Sequence, residues 1–304
     1  MKIHQNFYFN INYEDGSYKN YDEFFKRKKE IDHFLLNLGI SDIPPDRKTD
    51  NPLILPRAWY DFYLDMESPE YGWLTTWLHR MGMKYHYHFR FEFSKEEVEQ
   101  SPLFLFQHYL QRIRENKHPA YSGTKYKKEI VCPACGLIKW TQLNELHIDT
   151  SIMKKDLILM EYADLTGGGF VLVSETLARI LETEGISGYE LRPVIHVGSE
   201  HKRKKIYQLV STSILPPLSK QMHLEPMPNE YCSVCGLYGR FPWPLHYDSS
   251  SLTDIKDINY MAEYLDYGIC LQRYLVISAR ARNLFLKLNK TKKIRFEPVI
   301  LIDN

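Results

Sequence analysis

Long apolar runs are missing from this sequence, and so is any strong excess of charge. No stretch approaches the roughly 20 residues that a membrane-spanning helix requires, and the longest candidates, such as Tyr274–Ala279, fit strands. The formal net charge over 304 residues is +1. Residues 1–120 hold 16 Lys/Arg against 18 Asp/Glu, and the remainder 23 against 20, so neither part is a polyelectrolyte binder. Local basic runs at Lys26–Lys29, Lys125–Lys128, Lys202–Lys205 and Lys290–Arg295 read as solvated loops or helix faces. The opening residues lack the apolar core and small-residue cleavage site of a secretory signal, so a cytoplasmic, reduced protein is expected. Cysteine is scarce: there are five, four of them in two CxxC pairs, a poor basis for a disulfide framework in a chain this long. Catalytic signatures are missing too. There is no HExxH, no GxSxG and no Rossmann fingerprint, and Gly167–Gly169 lacks the Gly-Lys-Ser/Thr that would make it a phosphate loop. A non-enzymatic protein is the expectation.

Aromatics are what the chain has in abundance, with 22 Tyr, 15 Phe and 5 Trp. Such rings bring large contact area at low rotamer cost, which suits cores and protein interfaces alike. In Tyr21–Leu38, the residues Phe24, Phe25, Ile31, Phe34, Leu35 and Leu38 fall near one helical face, and Gly39 ends the helix. The proline-rich stretch 43–56 reads as loop. Tyr85–Phe93 alternates as a half-buried strand, with His86 and His88 on its polar side. Two histidines at this spacing can chelate a metal, but nothing nearby completes a ligand set. Ser94-Lys-Glu-Glu reads as a helix cap with an acidic first turn, and the helix can run on through Ile113 if Pro102 permits it. Asn116–Lys128 reads as a boundary. This gives an N-terminal α+β region over 1–120 and a second domain over 121–304.

The informative chemistry lies in that second domain. Val131-Cys-Pro-Ala-Cys-Gly136 and Tyr231-Cys-Ser-Val-Cys-Gly236 are two CxxCG elements. A CxxC turn sets two sulfurs on one side of an ion, and the following glycine admits the tight turn that wraps it. Cys132, Cys135, Cys232 and Cys235 are therefore expected to form one structural zinc site, one ion per chain, joining distant parts of the sequence. A closed four-thiolate sphere leaves no position for water or substrate, which argues against catalytic zinc. A redox pair and unmetallated buried cysteines are the competing readings. Cys270, among apolar neighbours, reads as a small core residue.

A second similarity follows the cysteines. Phe170–Ser174 leads into a helical run and then Tyr189–Ile195; Tyr274–Ser278 leads into Ala279–Leu288 and then Ile294–Ile300. Each reads as strand, serine cap, amphipathic helix and an extended segment ending Pro-Val-Ile, at a period of about a hundred residues. The fold expected is α+β, with mixed sheets, flanking helices and a C-terminal duplication stapled by the four-cysteine site.

These residues together resemble the double-CXXCG-motif family, best known from myxobacteria, whose members include immunity proteins for contact-delivered toxins. The resemblance lies in Val131–Gly136 with Trp140, in Val171–Glu175, in Cys232–Gly236 with Gly239-Arg240, and in the closing unit Tyr274–Ile300. It covers roughly the C-terminal 180 residues and leaves 1–120 as an extension. It implies a protein that neutralises a cognate bacterial toxin by stoichiometric binding, with the four cysteines as metal ligands and no catalytic residues. Nucleic acid and membrane are not expected partners, and oligomeric state is left open. The alternative class is a zinc-ribbon-type nucleic-acid-binding protein using the basic runs and neighbouring tyrosines; a metalloenzyme ranks behind both.

Overall fold

Phe7, Phe9 and Ile11 alternate along the first residues, so an extended chain puts all three on one side. The computed structural model makes this stretch β1, Lys2–Asn12. It describes the chain except residues 13–20, 42, 44–56, 84–85, 109–110, 113–118, 153–157, 163–168, 222–223, 227–231, 238–239, 243, 268–269, 289–293 and 304. The proline-rich stretch 43–56 thus lies almost wholly outside the described residues, as do Gly167 and Gly168. Two compact units result, Met1–Ser94 and Lys95–Asn304.

The first unit contains β1, α1 (Tyr21–Asn37), β2 (Arg57–Asp65), α2 (Pro69–Arg80) and β3 (His86–Glu92). β1 lies between β2 and β3 and is antiparallel to both. Its buried face pairs Phe7 with Phe62, Phe9 with Tyr60 and Ile11 with Ala58. Phe24, Ile31 and Leu35 of α1 and Leu74 and Leu78 of α2 complete that core. Lys28 falls in the same helical stripe as Phe24 and Ile31, and is buried with them. Its Nζ is 2.6 Å from an oxygen of Asp32, whose other oxygen accepts from the Tyr60 hydroxyl at 2.8 Å. Ser68 caps α2 through the Tyr71 N–H, with Pro69 at the first helical position, where its missing donor does no harm. β3 is a strand within the stretch expected to be one; the side chains of His86–Phe89, and with them the expected alternation there, lie outside the described residues.

In the second unit Pro102 does not permit the longer helix. α3 covers only Lys95–Gln100, and Leu103–His108 is β4. Pro102 offers no N–H to a continuing helix. Leu103, Phe104, Leu105 and Phe106 are all buried, as in a central strand covered on both faces. The elements after β4 are β5 (Gln111–Arg112), β6 (Tyr126–Cys132), β7 (Leu137–Gln142), β8 (Leu146–Ile148), β9 (Ile158–Tyr162) and β10 (Gly169–Ser174). Next come α4 (Glu175–Thr183), β11 (Tyr189–His196), β12 (Ile206–Ser211), β13 (Leu224–Pro226) and β14 (Arg240–Pro242). The last are β15 (His246–Asp248), β16 (Ile258–Tyr260), β17 (Leu265–Tyr267), β18 (Cys270–Gln272), β19 (Leu275–Ser278), α5 (Ala279–Leu288), β20 (Ile294–Pro298) and β21 (Ile300–Ile302).

These elements repeat. One sheet runs β9-β10-β12-β11-β8, with β5 beyond β9; the other runs β16-β19-β4-β20. β10 and β19 each end in a serine whose hydroxyl accepts an N–H of the following helix, from Leu177 and Ala281 respectively. The register repeats as well. His147 pairs in parallel with Ile195, and His246 in parallel with Ile300. The flanking sequences are Leu146-His-Ile-Asp149 and Leu245-His-Tyr-Asp248, a second shared motif. The third strand of each sheet is exchanged. β12, which precedes the second CxxCG, sits between β10 and β11; β4, which precedes the first, sits between β19 and β20. Residues 95–112, grouped by sequence with the N-terminal region, therefore fold with the second unit. Val171, Val173, Leu177 and Leu181 share one core with Leu275, Ile277, Ala281 and Phe285. On the far face of each sheet is a separate cluster: Leu146, Ile148 and Leu172 in one, Leu245, Tyr247 and Val276 in the other. No helix among the described residues is long and apolar enough to cross a membrane.

Candidate metal centre

Strand β6 brings the chain to Cys132 through a register irregularity after Ile130, and β7 leads away from Leu137. The turn between them is closed by the Gly136 N–H donating to the Cys132 carbonyl at 2.9 Å, with Gly136 at φ +74°. The second turn copies it: the Gly236 N–H donates to the Cys232 carbonyl at 2.9 Å, with Gly236 at φ +64°. Only glycine takes this left-handed conformation without strain. Two equal half-sites result from two equal turns.

They face each other. The Sγ atoms of Cys132 and Cys232 are 4.0 Å apart, those of Cys135 and Cys235 are 3.8 Å apart, and all four lie within 4.8 Å of one another. A tetrahedron with metal–sulfur bonds of about 2.3 Å has sulfur–sulfur edges of about 3.8 Å. These separations are far beyond a disulfide bond of about 2.05 Å, and none of the four cysteines is in a disulfide. Cys132 is buried and the other three are half-exposed. Loss of hydration pushes the Cys135 thiol up to about 12; hydrogen bonds with the other three thiols add to this, and the Leu137 N–H, which donates to it, opposes them. A divalent cation held by the four sulfurs would favour the thiolate form of Cys135 and reverse that shift. The four predicted cysteines thus come together in one group compatible with a metal site. No other such group occurs among the described residues.

Cys132 packs with Leu137 and Leu271, and the half-buried Tyr264 packs on them. The sheet here runs β17-β18-β7-β6, so strands of the second half extend the hairpin that carries the first pair of cysteines. Lys139 Nζ lies 4.2 Å from the centre of the Tyr264 ring, and the Arg273 guanidinium carbon 4.3 Å from it. Lys128 Nζ lies 5.9 Å over the Trp140 ring. Sequence reasoning missed Tyr264 and Arg273, whose distance along the chain gives no local signal. It also missed the repeated Leu-His-x-Asp, which was there to be read. Cys270 opens β18, but its side chain lies outside the described residues.

Comparison of the chain with protein-family models, with curated proteins and with solved structures gives no match.

Proposed function

We propose that this chain is a zinc-stapled binding protein that neutralises a cognate bacterial toxin by occluding it in a stoichiometric complex. The observation that carries the non-catalytic reading is the closed set of four sulfurs. Soft thiolates in a tetrahedral arrangement suit zinc, and with all four positions filled the ion has no place for a substrate. Function then rests on surfaces. The toxin-neutralising role is supported by the resemblance to the double-CXXCG family, and the aromatic content agrees with a protein partner. On the outward face of the first unit's sheet, Trp59 stacks on Tyr8 at 5.5 Å, and Trp59 and Tyr63 are 45% and 51% exposed. Interfaces draw their affinity from a few such rings. Four cysteines that form no disulfide suit a reducing, cytoplasmic setting.

The metal is tested first. Purified chain should carry one zinc, and Cys232→Ser should release it and destabilise the second unit, since the binding energy of a structural ion is folding energy. Full occupancy in that variant would remove the shared site. The partner is then sought as the toxin encoded beside the gene. A one-to-one complex of nanomolar affinity, weakly dependent on salt, and protection on co-expression are expected. Neither complex nor protection with an active toxin refutes the role. A second reading, a nucleic-acid-binding zinc ribbon, is favoured by Lys127 and Lys128 on an exposed strand beside the cysteines, with Lys128 over Trp140. Its mark is sub-micromolar binding that collapses between low and moderate salt, through counterion release.

A further inference from the structure

We propose that Lys139 and Arg273, gathered on the ring of Tyr264, are the charge-balancing residues of the metal centre, and that affinity for the ion depends on them. The inference rests on the zinc reading above. Four thiolates around a divalent cation leave a net charge of −2, and a half-buried dianion needs nearby positive charge or donors to offset its lost hydration. The centre has two such cations, one from each half of the unit. Lys139 stands two residues after Leu137 on β7, so strand alternation puts it on the face of Leu137, which packs against Cys132. Its register partner on β18 is Leu271, a member of the same cluster. Arg273 follows β18 directly and reaches the same tyrosine ring.

The two cations are otherwise unexplained. Two positive side chains within 4.2 and 4.3 Å of one ring centre repel each other. Among the described residues neither has a carboxylate within ion-pair distance, although Glu129 stands opposite Lys139 in the β6–β7 register. The Arg273 Nε is buried and donates to no acceptor there. A ring quadrupole attracts each cation only weakly, which does not repay half-burying two like charges together. A dianionic thiolate centre in the cluster on which the same ring packs supplies the missing negative charge. The arrangement assigns Tyr264 as the platform that holds both cations near the sulfurs, and the two cations as positioning residues, not ligands.

The test uses the full chain loaded with zinc and a competing chromogenic chelator. The double variant Lys139→Gln/Arg273→Gln should lose about 10–100-fold in zinc affinity, the usual effect of removing groups just outside the ligand shell. Each single variant should lose severalfold. Lys139→Arg should hold wild-type affinity, and Lys127→Gln, which removes one exposed charge from the neighbouring strand, should change it less than twofold. With cobalt in place of zinc, the visible ligand-field bands of the variants should stay where wild type has them, because the four sulfurs are untouched. Affinity within twofold of wild type in both single variants, or an equal loss in Lys127→Gln, overturns the proposal; so do shifted cobalt bands, which mean distortion of the ligands instead. Wild-type chain that takes up no zinc at all refutes the zinc reading itself, a different outcome.

Discussion

Replacing Gly188 by alanine should destabilise the second unit by about 3 kcal/mol, and the figure follows from where a single added carbon would go. Gly188 enters β11 at φ +85°, and a Cβ there would stand 2.4 Å from the Ile258 carbonyl oxygen and 2.4 Å from the Lys256 Cβ. The left-handed backbone alone costs an L-residue about 1–2 kcal/mol. The overlap is with the backbone of the other half, so it cannot be relieved by a side-chain rotation, and overpacking of this kind adds about 1–3 kcal/mol. The shift needed would strain the bonds from the Ile258 N–H to the Ser187 carbonyl and from the Thr212 N–H to the Gly188 carbonyl. Gly185→Ala is the control. Gly185 has φ +60°, but its nearest new neighbour is the tip of Arg280 at 3.8 Å, so only the conformational cost of about 1 kcal/mol remains. Native-state hydrogen exchange of the Thr212 and Ile258 amides reads the difference as roughly 30-fold faster opening in Gly188→Ala than in Gly185→Ala, equivalent to about 2 kcal/mol. Equal exchange in the two variants would show that the strand bearing Ile258 yields freely, and that the halves do not meet as tightly as described.

Two further outcomes are expected. Asp32→Ala removes the carboxylate from the buried Lys28 ammonium and the Tyr60 hydroxyl, and should destabilise the first unit by about 3–5 kcal/mol, with Lys28→Met in the same chain restoring most of it; exchange of the β1 amides measures both. At Asp257, partial burial is the largest single effect and raises the carboxyl, but donors from the Ser278 hydroxyl, the Ser187 backbone and hydroxyl, and Arg280 together carry it below its ordinary 3.8. A carboxylate so lowered contributes stability that is full above its unfolded value and lost as pH falls toward the folded one; Asp257→Asn should flatten the acid side of the stability profile of the second unit, and an unchanged acid slope would refute the network.

The four-cysteine cluster was legible in the sequence because a CxxCG turn is local: each carries its own hydrogen bond and glycine, whatever surrounds it. The two strand–helix–strand units were legible for the same reason, each marked by a serine cap and a 3.6-residue period. β4 was not. Leu103–Phe106 is an apolar run without alternation, which a helix and a doubly covered strand share, and the acidic turn before it favoured the helix. What decides its state is β19 and β20, far along the chain. β1 escaped notice because Tyr8 sits between Phe7 and Phe9, so that both faces carry rings and the period of two is disguised. Tyr264, which packs on the Cys132 cluster, and Arg273, which lies over its ring, were out of reach altogether, since only the pairing of β18 with β7 brings that part of the chain there.

The exchange of third strands has a consequence for synthesis. Val276 of β19 pairs with Leu105 of β4, about 170 positions earlier. At translation speeds of about 5–20 residues per second, Leu-Phe-Leu-Phe waits on the order of ten seconds or more outside the ribosome before its neighbours on either side exist. The first sheet has all its strands once β12 follows β11, whereas the second must wait for β16, β19 and β20 to join β4. The pair of sheets can therefore be finished only when nearly the whole chain is present. Chaperone demand should peak between emergence of β4 and emergence of β20, and the closing of the thiol cluster, whose second pair also comes late, falls within the same interval.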